Sequence, residues 1–226
     1  AIGLALMSGY GFTTVVNISV LVVLVSLLIT LPVKMYNIEF KAGLKPAGII
    51  EQTAVLPALV MFFVTMSYGA IVSFIALYAE QRVVPNIGLF FTVYAIALII
   101  ARPSFGRLAD KRGTSFVIIP GIFGILTALL LLYLAETLSL FLMAGFIYGL
   151  GFGAVQPALQ AMAVRHVVPE RRGAANATFF LGFDLGIGIG SIIWGIVAEA
   201  LGYGSVYLWA MLPVLAAIFL YLKKAE

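Results

Sequence analysis

Cysteine is absent from the 226-residue chain, which excludes disulfides, thiolate metal ligands and cysteine nucleophiles. Histidine occurs once, at His166, and one imidazole does not make a metal site. Charge is scarce as well: Asp, Glu, Lys and Arg make up 10% of the residues, against about 25% in an ordinary soluble domain. Apolar side chains take their place, at 63% of the chain and a mean hydropathy of +1.17. The composition implies an integral membrane protein whose first partner is the lipid bilayer. A net charge of +4 and a pI near 9.4 would suggest nucleic acid in a soluble protein. Here the basic residues lie between apolar runs and set topology, so no nucleic acid is expected. The string Gly186-x-Gly188-x-Gly190 has the wrong spacing for a dinucleotide fingerprint and sits inside an apolar run. No catalytic residue, cofactor or metal is expected, and the chain does not read as an enzyme.

The apolar runs are Thr13 to Val33, Leu56 to Ala79, Pro85 to Phe105, Ser115 to Ala135, Leu138 to Val164, Ala174 to Ala200 and Ser205 to Leu222. Each is about the length a helix needs to cross a hydrocarbon core of roughly 30 Å. Ala1 to Ser8 is apolar but too short to span. Lys34 to Val55 is the longest polar segment, and Pro46 and Gly48 argue against one unbroken helix through it. It reads as a cytoplasmic linker. Alternating the sides of successive runs puts twelve of the 13 basic residues on one face and leaves only Arg82 opposite. Lys and Arg concentrate in cytoplasmic loops, which places the linker, the connection 106–113 and the C-terminus inside.

That connection reads Gly106-Arg107-Leu108-Ala109-Asp110-Lys111-Arg112-Gly113. It resembles the loop motif of the major facilitator superfamily of secondary transporters, Gly-x-Leu-Ala-Asp-Arg-x-Gly. Gly106, Leu108, Ala109, Asp110 and Gly113 stand as the family has them, Lys111 stands where Arg is usual, and Thr114 and Ser115 replace a trailing basic pair. The resemblance implies an all-α membrane fold of two helical bundles related as parallel repeats. Residues 1–33 would be the end of the N-terminal bundle, a remnant of helix 5 followed by helix 6. Residues 34–55 would be the linker, and 56–226 the C-terminal six-helix bundle, helices 7 to 12. Most of the N-terminal helical bundle would then be a missing partner. Gly9-Tyr10-Gly11 before one span and Gly202-Tyr203-Gly204 before another, 193 residues apart, are a weak internal echo in that register. Asp110, with Arg102 just inside the preceding helix, is expected to form a conformational latch on the positive end of a helix in the other bundle.

Within the spans, Gly145, Gly149 and Gly153, and again Gly182, Gly186 and Gly190, recur every four residues, a spacing that lets helix backbones approach in lipid. Asp184 is the only acidic residue deep in a span, eleven residues after Gly173 and so roughly 16 Å along the helix. A charge there costs at least about 2.5 kcal/mol, so the group is expected to be buried, and to be paired, protonated or facing a cavity. It is the candidate proton-coupling residue, or else an anchor for a cationic substrate group; the plain alternative is a neutral acid bonded to a neighbouring helix. Gln156 and Gln160 share a helix face with Gly149 and Gly153, and Thr65, Tyr68 and Ser73 lie broadly on one side of theirs. These five are candidates for a substrate cavity, the alternative being that they glue helices together. Gln156, next to Pro157, is the strongest, because proline frees a backbone carbonyl that needs a partner. Arg102 and Arg165 are expected to snorkel to the headgroups.

The function implied by the resemblance is a secondary active transporter of the bacterial plasma membrane working by alternating access, most like a proton-coupled exporter of a small molecule. Two readings from other classes stand beside it, a seven-span receptor and a non-transporting membrane subunit.

Overall fold

A computed structural model of the protein describes residues 9–31 and 50–225. Ala1 to Ser8 and the linker lysines Lys34, Lys41 and Lys45 lie outside the described residues. The chain divides into two units, residues 1–47 and 48–226. In the first, helix α1 covers Phe12–Thr30, carries no charged residue, and has none of its residues buried.

The second unit is built from α2 (Gln52–Gln81), α3 (Gly88–Arg112), α4 (Ser115–Tyr133) and α5 (Leu138–Val164). A 3₁₀ turn at Pro169–Arg171 leads into α6 (Arg172–Leu201), α7 (Tyr203–Trp209) and α8 (Met211–Ala225). α7 and α8 form a single apolar stretch, Tyr203–Lys223. With α1, seven helices among the described residues are long and apolar enough to cross a membrane, and no strand occurs among those residues. The all-helical membrane fold read from the sequence is the observed one.

The segment 106–113 is not a loop. α3 runs through to Arg112, so Gly106 to Arg112 are its final turns, and the break falls at Gly113. Arg, Leu, Ala and Lys favour helix, and Lys111 and Arg112 suit the negative end of the helix dipole. The stop comes from Gly113, whose φ of +92 lies in the region a side chain disfavours. Polar composition marks where this helix leaves the hydrocarbon, not where it ends. The glycine echo shifts for a related reason. The residues with positive φ are Gly11 (+81) and Gly202 (+83), which are 191 residues apart. In that register Gly11-Phe12-Thr13-Thr14-Val15 aligns with Gly202-Tyr203-Gly204-Ser205-Val206.

α5 is the hub of the second unit, with α3 and α4 packed along it, while α2 pairs with α6 and also meets α5 and α8. The glycine rows account for the closest approaches. A Cβ added to Gly186 would lie 2.3 Å from the Phe62 carbonyl oxygen and 2.1 Å from Thr65 Oγ1 on α2. On α5, a Cβ at Gly149 would lie 2.7 Å from the Tyr94 carbonyl oxygen of α3. Lipid supplies no hydrophobic drive between helices, so such close contact and interhelical hydrogen bonds hold the unit together. The Trp194 indole N–H donates to the Met66 carbonyl at 2.7 Å across the α2–α6 seam. Ser67 and Tyr148 share a buried hydroxyl–hydroxyl bond of 2.9 Å between α2 and α5.

Candidate functional site

α5 carries a stripe at four-residue spacing, Phe152, Gln156 and Gln160, which one helix face must share. Three neighbouring helices supply its borders. From α3, Arg102 donates from its guanidinium to Gln156 Oε1 at 3.4 Å. From α6, Asn176 Oδ1 accepts from Gln160 Nε2 at 3.3 Å. From α2, the ring of Tyr68 stacks on Phe152 with centroids 5.2 Å apart and planes 26° apart. Tyr68 also stacks on Tyr94 of α3 at 6.1 Å, and Phe183 of α6 meets Phe152 edge-on at 6.3 Å. Arg102 is exposed, whereas Gln156, Gln160, Asn176, Tyr68 and Phe183 are half-buried. The structure thus brings three sequence candidates, Tyr68, Gln156 and Gln160, onto one surface.

Arg102 is ten residues from Arg112, the end of α3, which is about 15 Å along the helix axis. Its partner Gln156 is eight residues before Val164, the end of α5, which is about 12 Å along that axis. Among the described residues no carboxylate lies within ion-pair distance of it.

The other candidates are placed differently. Thr65 is fully buried in the α2–α6 seam, where its hydroxyl donates to Met61 and Phe62 carbonyls of its own helix. Ser73 donates to Ser191 Oγ at 2.9 Å, joining α2 to α6 near the other end of the seam. Asp184 lies twelve residues into α6, about 18 Å from its start, but it is exposed and not buried as the sequence reading expects. The reason is angular: Gly182 and Gly186, two positions to either side, are the residues that touch α2, so Asp184 takes the opposite face. Gly188 shares that open face, with nothing within 4 Å of an added Cβ.

At the end of the unit where α3 stops, a cavity of about 640 Å³ is walled by Gly106, Ala109, Asp110 and Gly113 on one side and by Pro157 and Arg165 on the other. Neither Asp110 nor Arg165 forms an ion pair among the described residues. Close by in the chain order of that end, Arg171 donates to the Glu51 carboxylate, and the Glu51 amide donates to Thr178 Oγ1 at 2.9 Å. The Arg171 hydrogen bond holds the Glu51 carboxyl below its ordinary value of 4.5. This clasp fixes the start of α2 to the base of α6.

Sequence reasoning passed over the partners on neighbouring helices. Phe152 was legible, since it continues the stripe of Gln156 and Gln160. Asn176, Tyr94 and Phe183 sit on other helices and no spacing rule connects them. Among the described residues no group of three or more His, Cys, Asp or Glu could hold a metal.

A bundle of apolar spans, glycine-seamed and carrying a polar and aromatic stripe within it, defines a polytopic membrane protein. The family model described as Major Facilitator Superfamily matches residues 57–226, and the chain belongs to that family. It is 35% identical over 169 residues to an uncharacterized MFS-type transporter of Burkholderia mallei, covering 74% of this chain and 42% of that protein. An uncharacterized MFS-type transporter of Methanocaldococcus jannaschii is 29% identical over 161 residues, covering 70% of this chain and 42% of its own length. The matched part of the chain thus covers less than half the length of these curated relatives.

Proposed function

We propose that the chain is the C-terminal part of a secondary active transporter that exports a small molecule against inward proton flow, by alternating access between its second unit and an N-terminal helical bundle. Family membership supports transport. The relatives' greater length supports a partner bundle, which would cover the open face of α6. Basic residues collect at the end of the unit where α3, α5 and α8 finish and α6 begins, including Arg107, Lys111, Arg112, Arg165, Arg171, Arg172 and Lys223. That supports a cytoplasmic C-terminus in a bacterial plasma membrane.

The observation that carries proton coupling is Asp184: a carboxylate midway along a spanning helix, on a face that no described helix covers. Closing a second bundle over that face would take the carboxylate out of contact with water, and opening would return it, the change of access that a carried proton requires. Asp110, on the cavity wall at the cytoplasmic end, is the latch candidate. The test is transport by the full-length protein bearing Asp184→Asn, in inverted vesicles. Proton-driven accumulation should disappear while substrate exchange without a gradient survives. Accumulation at the wild-type level would assign coupling elsewhere.

A further inference from the structure

Given a transporter, the stripe on α5 carries information about what is transported. Arg102 is a permanent cation on the exposed face of α3, ten residues before its end, and among the described residues it donates to a neutral amide oxygen. A guanidinium can only donate, so Gln156 must offer its oxygen, which turns its NH₂ group into a free donor beside the remaining Arg102 N–H groups. The neighbouring pair is mixed: Asn176 accepts from Gln160, which leaves the Asn176 NH₂ to donate and the Gln160 oxygen to accept. Around Gln156 the stripe therefore presents donors and a positive charge that no carboxylate pairs with among the described residues. An acceptor-only anion complements it, and a carboxylate fits the planar fork of a single guanidinium.

The other half is aromatic. Tyr68 and Phe183 are half-buried and flank Phe152 from two helices. Behind them Tyr148 stacks on Phe152 at 5.9 Å and is pinned by its bond to Ser67, so the platform is rigid. Phe152 and Gln156 are one helical turn apart, about 6 Å along the axis, the dimension of a ring joined to a carboxyl group.

We propose that this surface recognises an amphiphilic organic anion, a planar apolar ring system bearing one carboxylate, with Arg102 and Gln156 taking the carboxylate and Tyr68 and Phe183 the ring. The assignment rests on the transporter reading above but not on proton coupling. Asp184 stays free for the proton, and the substrate anion serves as the counter-ion of Arg102.

The experiment is equilibrium binding to the full-length transporter in nanodiscs, using 2-naphthoate, 2-naphthylmethanol and 2-naphthylmethylammonium as probes. Wild type should bind naphthoate at least about tenfold tighter than the alcohol, a difference of about 1.4 kcal/mol, and the ammonium compound most weakly. Arg102→Gln should abolish the preference for naphthoate over the alcohol, Arg102→Lys should retain part of it, and Tyr68→Leu should weaken both probes together. Equal or tighter binding of the ammonium compound by wild type overturns the proposal, with no variant needed. Unchanged naphthoate preference in a folded Arg102→Gln protein also overturns it and assigns Arg102 a counter-ion in the other bundle. If naphthoate fails to bind while proton-driven transport of another solute persists, this inference alone fails. If naphthoate binds as expected but Asp184→Asn leaves accumulation intact, the coupling reading alone fails.

Discussion

The two faces of α6 carry the same kind of sequence and have opposite surroundings. Gly182, Gly186 and Gly190 close onto α2 so tightly that an added methyl group would meet backbone atoms, while Gly188, on the side of Asp184, meets nothing. A row of glycines is therefore not one signal. On the closed face the absent side chain is what lets α2 approach. On the open face the absence of bulk leaves a carboxylate accessible along one side of the helix.

The comparison breaks most readily at Gly186. Gly186→Ala should destabilise the folded unit by about 1–3 kcal/mol, as overpacking does where backbone must shift, because the new methyl group would meet the Phe62 carbonyl. At Gly188 the added methyl group meets nothing, and Gly188→Ala should instead stabilise by about 0.4–1 kcal/mol, since alanine narrows the unfolded chain. Thermal unfolding in detergent reads both, and equal effects would mean that the α2–α6 seam is not what holds this helix.

The helices and the glycine contacts were legible because each is written in one segment: length and apolar composition give a span, and spacing gives a face. The end of α3 was misread because charge was taken for a helix stop, when only Gly113 supplies one. The burial of Asp184 was misread because depth along a helix says nothing about azimuth, and azimuth is set by where Gly182 and Gly186 pack. The meeting of Arg102 with Gln156 and of Gln160 with Asn176 depends on which helices are neighbours, a property that no single span encodes.

A second prediction concerns the cavity at the end of α3. Asp110→Asn in the full-length protein should slow transport at least about fivefold, the lower end of typical coupling energies, with membrane insertion unchanged. Lys111→Ala should leave transport and topology near wild type, since the neighbouring Arg107 and Arg112 still supply the positive charge of that end. Wild-type transport by Asp110→Asn would reduce the segment to a topology signal and leave Asp184 as the candidate functional acid of the described helices.

The clasp at Glu51 sharpens the contrast from the sealed side, since it holds the start of α2 against the base of α6. The folded carboxyl titrates below 4.5 because Arg171 donates to it. The clasp therefore stabilises the fold at pH above 4.5, and that stabilisation is lost as pH falls through the folded value. Glu51→Gln should be less stable than wild type at pH 7 and should show a smaller loss on acidification to pH ~3. Identical acid profiles for the two proteins would mean that the clasp does not tie α2 to α6.

The last position is one where neither packing nor charge is at stake. Val83, in the turn after α2, has φ +56 and is 86% exposed. A β-branched residue is disfavoured there by contact between its Cβ and the backbone, a strain of order 1–3 kcal/mol. Val83→Gly removes that strain and loses no buried contact, but glycine also gains freedom in the unfolded chain, which offsets about 0.4–1 kcal/mol of the benefit. The net change should be a stabilisation between about 0 and 2.6 kcal/mol, with Val83→Asn intermediate because asparagine tolerates the left-handed region. Both should leave naphthoate binding untouched, since the turn shares no residue with the stripe on α5. Destabilisation by Val83→Gly would mean that the side chain is covered in the assembled transporter, and that the open surface extends over less of the unit than its exposed residues indicate.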